Sequence, residues 1–152
     1  MLDLTRELRE IAGALETAGA TYALAGGLAV SIYSTPRATQ DIDLLLAVSD
    51  VDRVTAALGP LGFRAAGRPM RVAGGRMEIQ RLIKIDGTEL LPLDLLLPLD
   101  SELAEILAAR TEVTWEGTRL WIVTLPGLRT LKRLRGSAQD RADLEALGPD
   151  SP

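Results

Sequence analysis

Three aspartates and a pair of glycines are the residues of this chain best placed to do chemistry. Asp41 and Asp43 open an apolar run in the stretch RATQDIDLLL, and Asp94 interrupts another, LLPLDLLLP. Side chains along a strand repeat every second residue, so Asp41 and Asp43 project from one face while Ile42 and Leu44 pack on the other. Two strand steps separate the acids by roughly 6 to 7 Å. At that range two carboxylates repel by roughly 2.5 kcal/mol at an effective dielectric of about 20, and a third would add to this. Such a cluster is unfavourable alone and becomes a good site once a hard divalent cation binds. Mg²⁺ is the natural occupant, because it takes a few carboxylates, water and phosphate oxygens. Two ions bridged in this way would activate an attacking oxygen and stabilise a leaving phosphate group.

Gly26 and Gly27 supply the complementary half. They end a short apolar run at 21–25 and lead into a stretch with helical spacing at 28–33. A strand that passes through glycines into a helix exposes backbone N–H groups at the positive end of that helix, which suits a phosphate. Thirteen residues lie between Gly27 and Asp41, enough for about two helical turns and a return loop. Arg37 and Thr39, just ahead of the acid pair, are candidates for phosphate contact or for shaping that loop. Each piece has a plainer reading: a double glycine as a turn, Asp-x-Asp as an exposed capping pair, Asp94 as a structural acid in a bulge. Together they point to a site, since a run as apolar as LLPLDLLLP is expected to be buried and an unpaired buried carboxylate is costly.

Composition narrows the chemistry further. The 152 residues include no cysteine and no histidine, which excludes thiolate and imidazole ligands, cysteine nucleophiles and an imidazole base. Catalysis must rest on carboxylates, lysines, hydroxyls and borrowed metal. Apolar residues form 47% and aromatics 3%, so the core is expected to be Leu, Ile, Val and Ala. A net charge of −4 argues against general adhesion to nucleic acid. No signal-like start and no membrane-spanning apolar stretch is evident, so a soluble cytoplasmic protein is expected.

These residues need elements to position them. Leu4, Leu8, Ile11 and Leu15 give one face of an amphipathic helix stopped at Gly19. A strand is expected over 21–25, a short helix over 28–33 ended before Pro36, and a buried strand over 41–48. Ser49 and Asp50 offer a cap for a helix carrying Val51, Val54, Leu58 and Leu61. Residues 62–76 read as a short strand and a basic loop, whose Arg64, Arg68, Arg71 and Arg76 could follow a polyanion. Residues 77–85 and 90–97 read as a hairpin with Asp86-Gly87 as its two loop residues, Met77, Ile79, Ile83 and Ile85 inward, and Pro92 marking an edge or bulge. Ser101 caps a helix over 102–109, and a second hairpin over 113–123 turns at Glu116-Gly117. Its Trp115 and Trp121 read as packing residues. Helices over 125–134 and 138–147 close the chain. The class is α/β (α+β), a mixed sheet packed by helices in one domain over 1–148, with 149–152 a frayed tail.

The run GGLAV, then RATQDIDLLL, then LPLDLLL resembles the DNA polymerase β-type nucleotidyltransferase superfamily. Its signature is a Gly-Gly or Gly-Ser turn, an Asp-x-Asp pair and a later third acid. The ending TLPGLRTLKRLRGSAQDRADLEAL is similar to the helical close of small prokaryotic members, the minimal nucleotidyltransferases of abortive-infection and HEPN-associated toxin–antitoxin systems. The resemblance covers most of the chain. It implies a nucleotidyltransferase-like fold in which Gly26 and Gly27 hold a triphosphate and Asp41 and Asp43 bind metal. Asp94 would complete the metal site or assist deprotonation of the acceptor. Lys132 corresponds to the helix lysine, a nucleotide-binding candidate, and Asp140 to the acid that follows. Relatives often carry Gly-Arg before that acid where this chain has Gly136-Ser137, so Arg135 or Arg141 must supply the contact if it is made. The implied activity is Mg²⁺-dependent transfer of NMP from an NTP, such as ATP, CTP, GTP or UTP, to a hydroxyl, with release of pyrophosphate. The acceptor would be a partner protein, a tRNA 3′ end or a small molecule, and the setting a toxin–antitoxin or phage-defence system. The alternative is a non-catalytic, antitoxin-like binding module of the same fold. The base, the acceptor and the oligomeric state stay open.

Overall fold

Helical spacing of Leu8, Ile11 and Leu15 produces the first helix, α1 (Leu4–Ala18), which buries those residues. The Asp3 side chain accepts from the Thr5 N–H at its start, and Gly19 ends it with φ +69°. The computed structural model describes residues 1–34 and 41–148. Along them follow β1 (Tyr22–Ala25), α2 (Gly26–Tyr33), β2 (Ile42–Leu46), α3 (Val51–Leu58), β3 (Arg64–Ala65), β4 (Met70–Val72) and β5 (Met77–Asp86). Then come β6 (Glu89–Pro98), α4 (Ser101–Ala108), β7 (Thr111–Trp115), β8 (Thr118–Ile122), α5 (Leu125–Arg135) and α6 (Ala138–Leu147).

The eight strands among the described residues form one mixed sheet in the order β3-β5-β6-β2-β1-β8-β7, with β4 also on β5. The two centre strands explain the apolar runs. All of β2 is buried, and β6 is buried from Leu93 onward, because both lie between neighbours and under helices. β2 runs antiparallel to β1 and parallel to β6. Directly opposed residues share a face, so one face carries Asp43, Asp94 and Arg81 and the other carries Lys84, one step out of phase. On that second face Lys84 Nζ meets both oxygens of the fully buried Glu7 at 2.7 and 2.8 Å, pinning α1 to the sheet. On the first face lie α2 and the packed pair α5–α6. No helix among the described residues is long and apolar enough to cross a membrane.

Several local expectations change. The glycines are not a loop ahead of α2 but its first turn, Gly26 having φ +66°. Asp50 is at the N-cap position of α3, after a 3₁₀ turn, but its carboxylate makes no capping bond there and accepts from the Thr21 N–H at 3.2 Å instead. Asp100 rather than Ser101 caps α4, accepting from the Leu103 N–H. Pro92 sits in an unbroken register with β5 and makes no bulge: the β2 pairing begins one residue later, at Leu93, so its missing N–H costs no bond there. Ile85 is 69% exposed, because β5 runs out past the covering helices and buries Gln80 and Leu82 instead. The Glu116-Gly117 turn is as expected, with both residues at positive φ.

Candidate active site

Asp43 and Asp94 are direct partners on adjacent strands, which sets them about 4.8 Å apart along the hydrogen-bonding direction with side chains on one face. β1 brings in the glycine bend, since Ala25 pairs with Asp43 and Gly26 follows it. The approach is close enough to define the residue type. A Cβ added to Gly26 would lie 1.9 Å from Asp43 Oδ2 and 2.7 Å from its Cγ. Only glycine tolerates both that contact and the positive φ. The start of α2 therefore abuts a buried carboxylate.

Asp43 is 5% exposed. Burial pushes its carboxyl up to about 7, the charges of Asp41 and Asp94 push in the same direction, and Arg135 and Lys132 hold it back. Asp41, half-buried and one residue before β2, is thus close enough to act on it. Asp43 and Asp94 share a face and Asp41 acts on Asp43, but the three are not equivalent. Asp94 gives both oxygens to Arg81, accepting from Nε at 2.8 Å and from Nη2 at 2.9 Å. In this arrangement no group of three acidic side chains among the described residues is set to hold a metal ion. The donor type nonetheless fits one: hard oxygens, a buried carboxylate short of positive charge, and backbone in place of a side chain at Gly26.

Lys132 is where the helix pattern puts it, but its ammonium is not turned to an open edge. It is 4% exposed and lies 3.1 Å from Asp140 Oδ1 and 2.9 Å from Asp143 Oδ2, both buried. Ser137 completes the cluster as the cap of α6. Its hydroxyl donates to Asp140 Oδ2 at 2.6 Å and accepts from the Asp140 N–H at 3.0 Å. The departure Gly136-Ser137 is therefore a capping box, with Arg141 on the Gly136 carbonyl and Arg135 4.0 Å from Asp140. Lys132 acts on the acid site through its field.

Arg37 and Thr39 lie outside the described residues. Three of the four arginines at 64–76 have partners within the protein. Arg64 donates to the Gly59 and Phe63 carbonyls, Arg71 pairs with Glu78 at 3.9 Å, and Arg76 meets Asp100 at 2.5 Å. Trp121 packs under the Arg110 guanidinium, 3.9 Å from the ring centroid. Arg81 is the residue the sequence pattern missed. Gly87 and Thr88, not Asp86 and Gly87, are the two loop residues, closed by Asp86 opposite Glu89. Moving the turn by one residue shifts the partner of Asp94 by two, from Ile79 to Arg81.

No protein-family profile matches the sequence, and no curated protein matches it. Solved structures do match by shape. A lincosamide antibiotic adenylyltransferase, LnuA, with lincomycin bound, is 17% identical and superposes with a TM-score of 0.65 over 93% of this chain and 94% of that one. ANT(2")-Ia in complex with adenylyl-2"-tobramycin is 16% identical, with a TM-score of 0.63 over 94% of this chain and 86% of that one. An antigenic nucleotidyltransferase-like protein from Paracoccidioides brasiliensis is 20% identical, with a TM-score of 0.59 over 92% of this chain and 72% of that one. The chain has the nucleotidyltransferase fold.

Proposed function

We propose that the protein is a metal-dependent nucleotidyl transferase. In this reaction the hydroxyl oxygen of an acceptor bonds to the α-phosphorus of an NTP, the bond from that phosphorus to the bridging oxygen breaks, and pyrophosphate leaves. The hydroxyl proton passes to a carboxylate or to water. The observation that carries the reading is the buried Asp43–Asp94 pair set against the start of α2 at Gly26, with Asp43 left short of positive charge. Asp41, Asp43 and Asp94 would hold Mg²⁺, one ion or two, which would polarise the phosphate and lower the pKa of the attacking hydroxyl. Gly26 and Gly27 would present N–H groups to the triphosphate.

Two acceptor classes have support. The antibiotic-modifying enzymes of the same fold favour a small hydroxyl-bearing molecule. The Lys132, Asp140 and Asp143 pattern of the closing helices favours the toxin–antitoxin or phage-defence setting, with a partner protein or tRNA as acceptor. One observation favours a second reading, a binding module without catalysis: Asp94 already has a counter-charge in Arg81. Incubation with each labelled NTP, Mg²⁺ and either cell lysate or a panel of hydroxyl-bearing antibiotics separates them. Label that appears on an acceptor and is lost in Asp43→Ala supports transfer and identifies the class. No label in any mixture, with Asp43→Ala indistinguishable from the parent in biological effect, supports the binding module.

A further inference from the structure

Two of the cations that act on the acid site are held in different ways. Lys132 is buried and fixed between two buried aspartates of its own. Arg81 is not. Its side chain is 48% exposed, whereas that of Asp94 is 9% exposed, so it reaches in from solvent to engage an acid beneath it. The fork is bidentate, with one N–H to each oxygen, so both inward donor oxygens of Asp94 are used. An ion pair between two exposed side chains contributes little. Here the acid is buried beside another buried acid, so compensation of its charge is needed for this arrangement to persist.

We infer that Arg81 is a resident counter-ion for the third acid: it occupies with one mobile charge the oxygens a divalent cation would use, and the cation must displace it. This inference deepens the transferase reading and rests on it. Displacement is feasible because a half-exposed guanidinium on a long side chain can return to water, whereas Lys132 has no such exit. The exchange also suits the charge balance. Arg81 brings one charge to Asp94 and makes no hydrogen bond to Asp43, whereas a divalent ion held by Asp43 and Asp94 would supply charge to both. The protein would therefore bind metal poorly by itself. Metal arriving with a triphosphate would compete better, because the phosphates offer the released guanidinium a partner.

Titration with Mn²⁺ alone, followed by electron paramagnetic resonance of the free ion, tests this without any turnover; Mn²⁺ prefers the same oxygen donors as Mg²⁺. Arg81→Gln should bind Mn²⁺ roughly tenfold more tightly than the parent, within the ordinary range of coupling between two sites. Arg81→Lys, which cannot form the fork, should fall between them and serves if the glutamine variant does not fold. Adding Asp94→Asn to Arg81→Gln should cancel the gain. Affinity unchanged or weakened in Arg81→Gln, while Asp43→Asn abolishes binding in the parent, would overturn the inference and leave the metal site standing. Absence of Mn²⁺ binding in every variant, with or without NTP, would instead defeat the metal site itself and this inference with it.

Discussion

Two buried acidic clusters lie a short distance apart, and they solve the same problem in opposite ways. At the close of the chain Asp140 and Asp143 share the Lys132 ammonium, and Ser137 donates to Asp140 as well. Burial is the largest single influence on Asp140 and pushes its carboxyl up, yet the hydrogen bonds from Ser137 and Lys132 together win and leave it below its ordinary value. In the sheet, Asp43 has Asp41 and Asp94 beside it and its carboxyl stands near 7. Position in the fold accounts for the contrast. The first cluster closes two helices against each other and supplies its own cation. The second adjoins the end of β1, where a side chain in place of Gly26 would collide with Asp43, and the Arg81 guanidinium bonds Asp94 rather than Asp43. A compensated cluster is a structural joint; an under-compensated one is a candidate functional site.

The contrast is broken most severely by removing the joint's cation. Lys132→Met removes the ammonium that pairs with both buried carboxylates and should cost about 3 to 5 kcal/mol in denaturant unfolding; a loss below about 1 kcal/mol would mean the joint does not depend on it. The acid site should respond in the opposite sense. A folded state that keeps the Asp43 proton where the unfolded chain has lost it becomes less stable as pH rises between about 4 and 7, by on the order of a few kcal/mol in all, and is flat above that window. Asp43→Asn should remove this decline in magnesium-free buffer and make the protein more stable than the parent at pH 8. The lowered Asp140 works the other way, stabilising above the usual carboxylate range and losing that contribution as the pH falls through its folded value.

Smaller effects sharpen the picture. Gly26→Ala should cost at least roughly 2 kcal/mol, from a side chain at positive φ and from its collision with Asp43, and thermal unfolding would register it. If Asp43→Asn is added, the collision persists while the charge is gone, so the penalty should remain. Ser137→Ala removes the α6 cap and should cost about 1 kcal/mol, measurable as a small shift in the urea midpoint.

Periodicity made most of the fold legible. Leu8, Ile11 and Leu15 mark α1, and the runs around Asp43 and Asp94 mark the two centre strands, because burial on both faces leaves little freedom in composition. The acids and glycines were legible for a different reason: carboxylates in apolar strands and a double glycine at a strand end are expensive unless something uses them. What was hidden depends on contacts between distant segments. Arg81 opposite Asp94 needs the hairpin register to the residue, which a two-residue turn signal fixes only to within one step. The burial of Lys132 needs α5 and α6 packed together. The use of Asp50 by Thr21 rather than by its own helix is likewise a tertiary choice over a local preference.

Carboxyl-carbon NMR of the aspartates, titrated from pH 4 to 9 with and without saturating Mg²⁺ and NTP together, is the most direct measurement of whether the sheet cluster takes up a cation. The resonance of Asp43, identified by its loss in Asp43→Asn, should titrate near 7 in the free protein and move to well below that value when Mg²⁺ and NTP are added. A resonance that titrates in the ordinary carboxylate range and ignores Mg²⁺ and NTP would contradict the account.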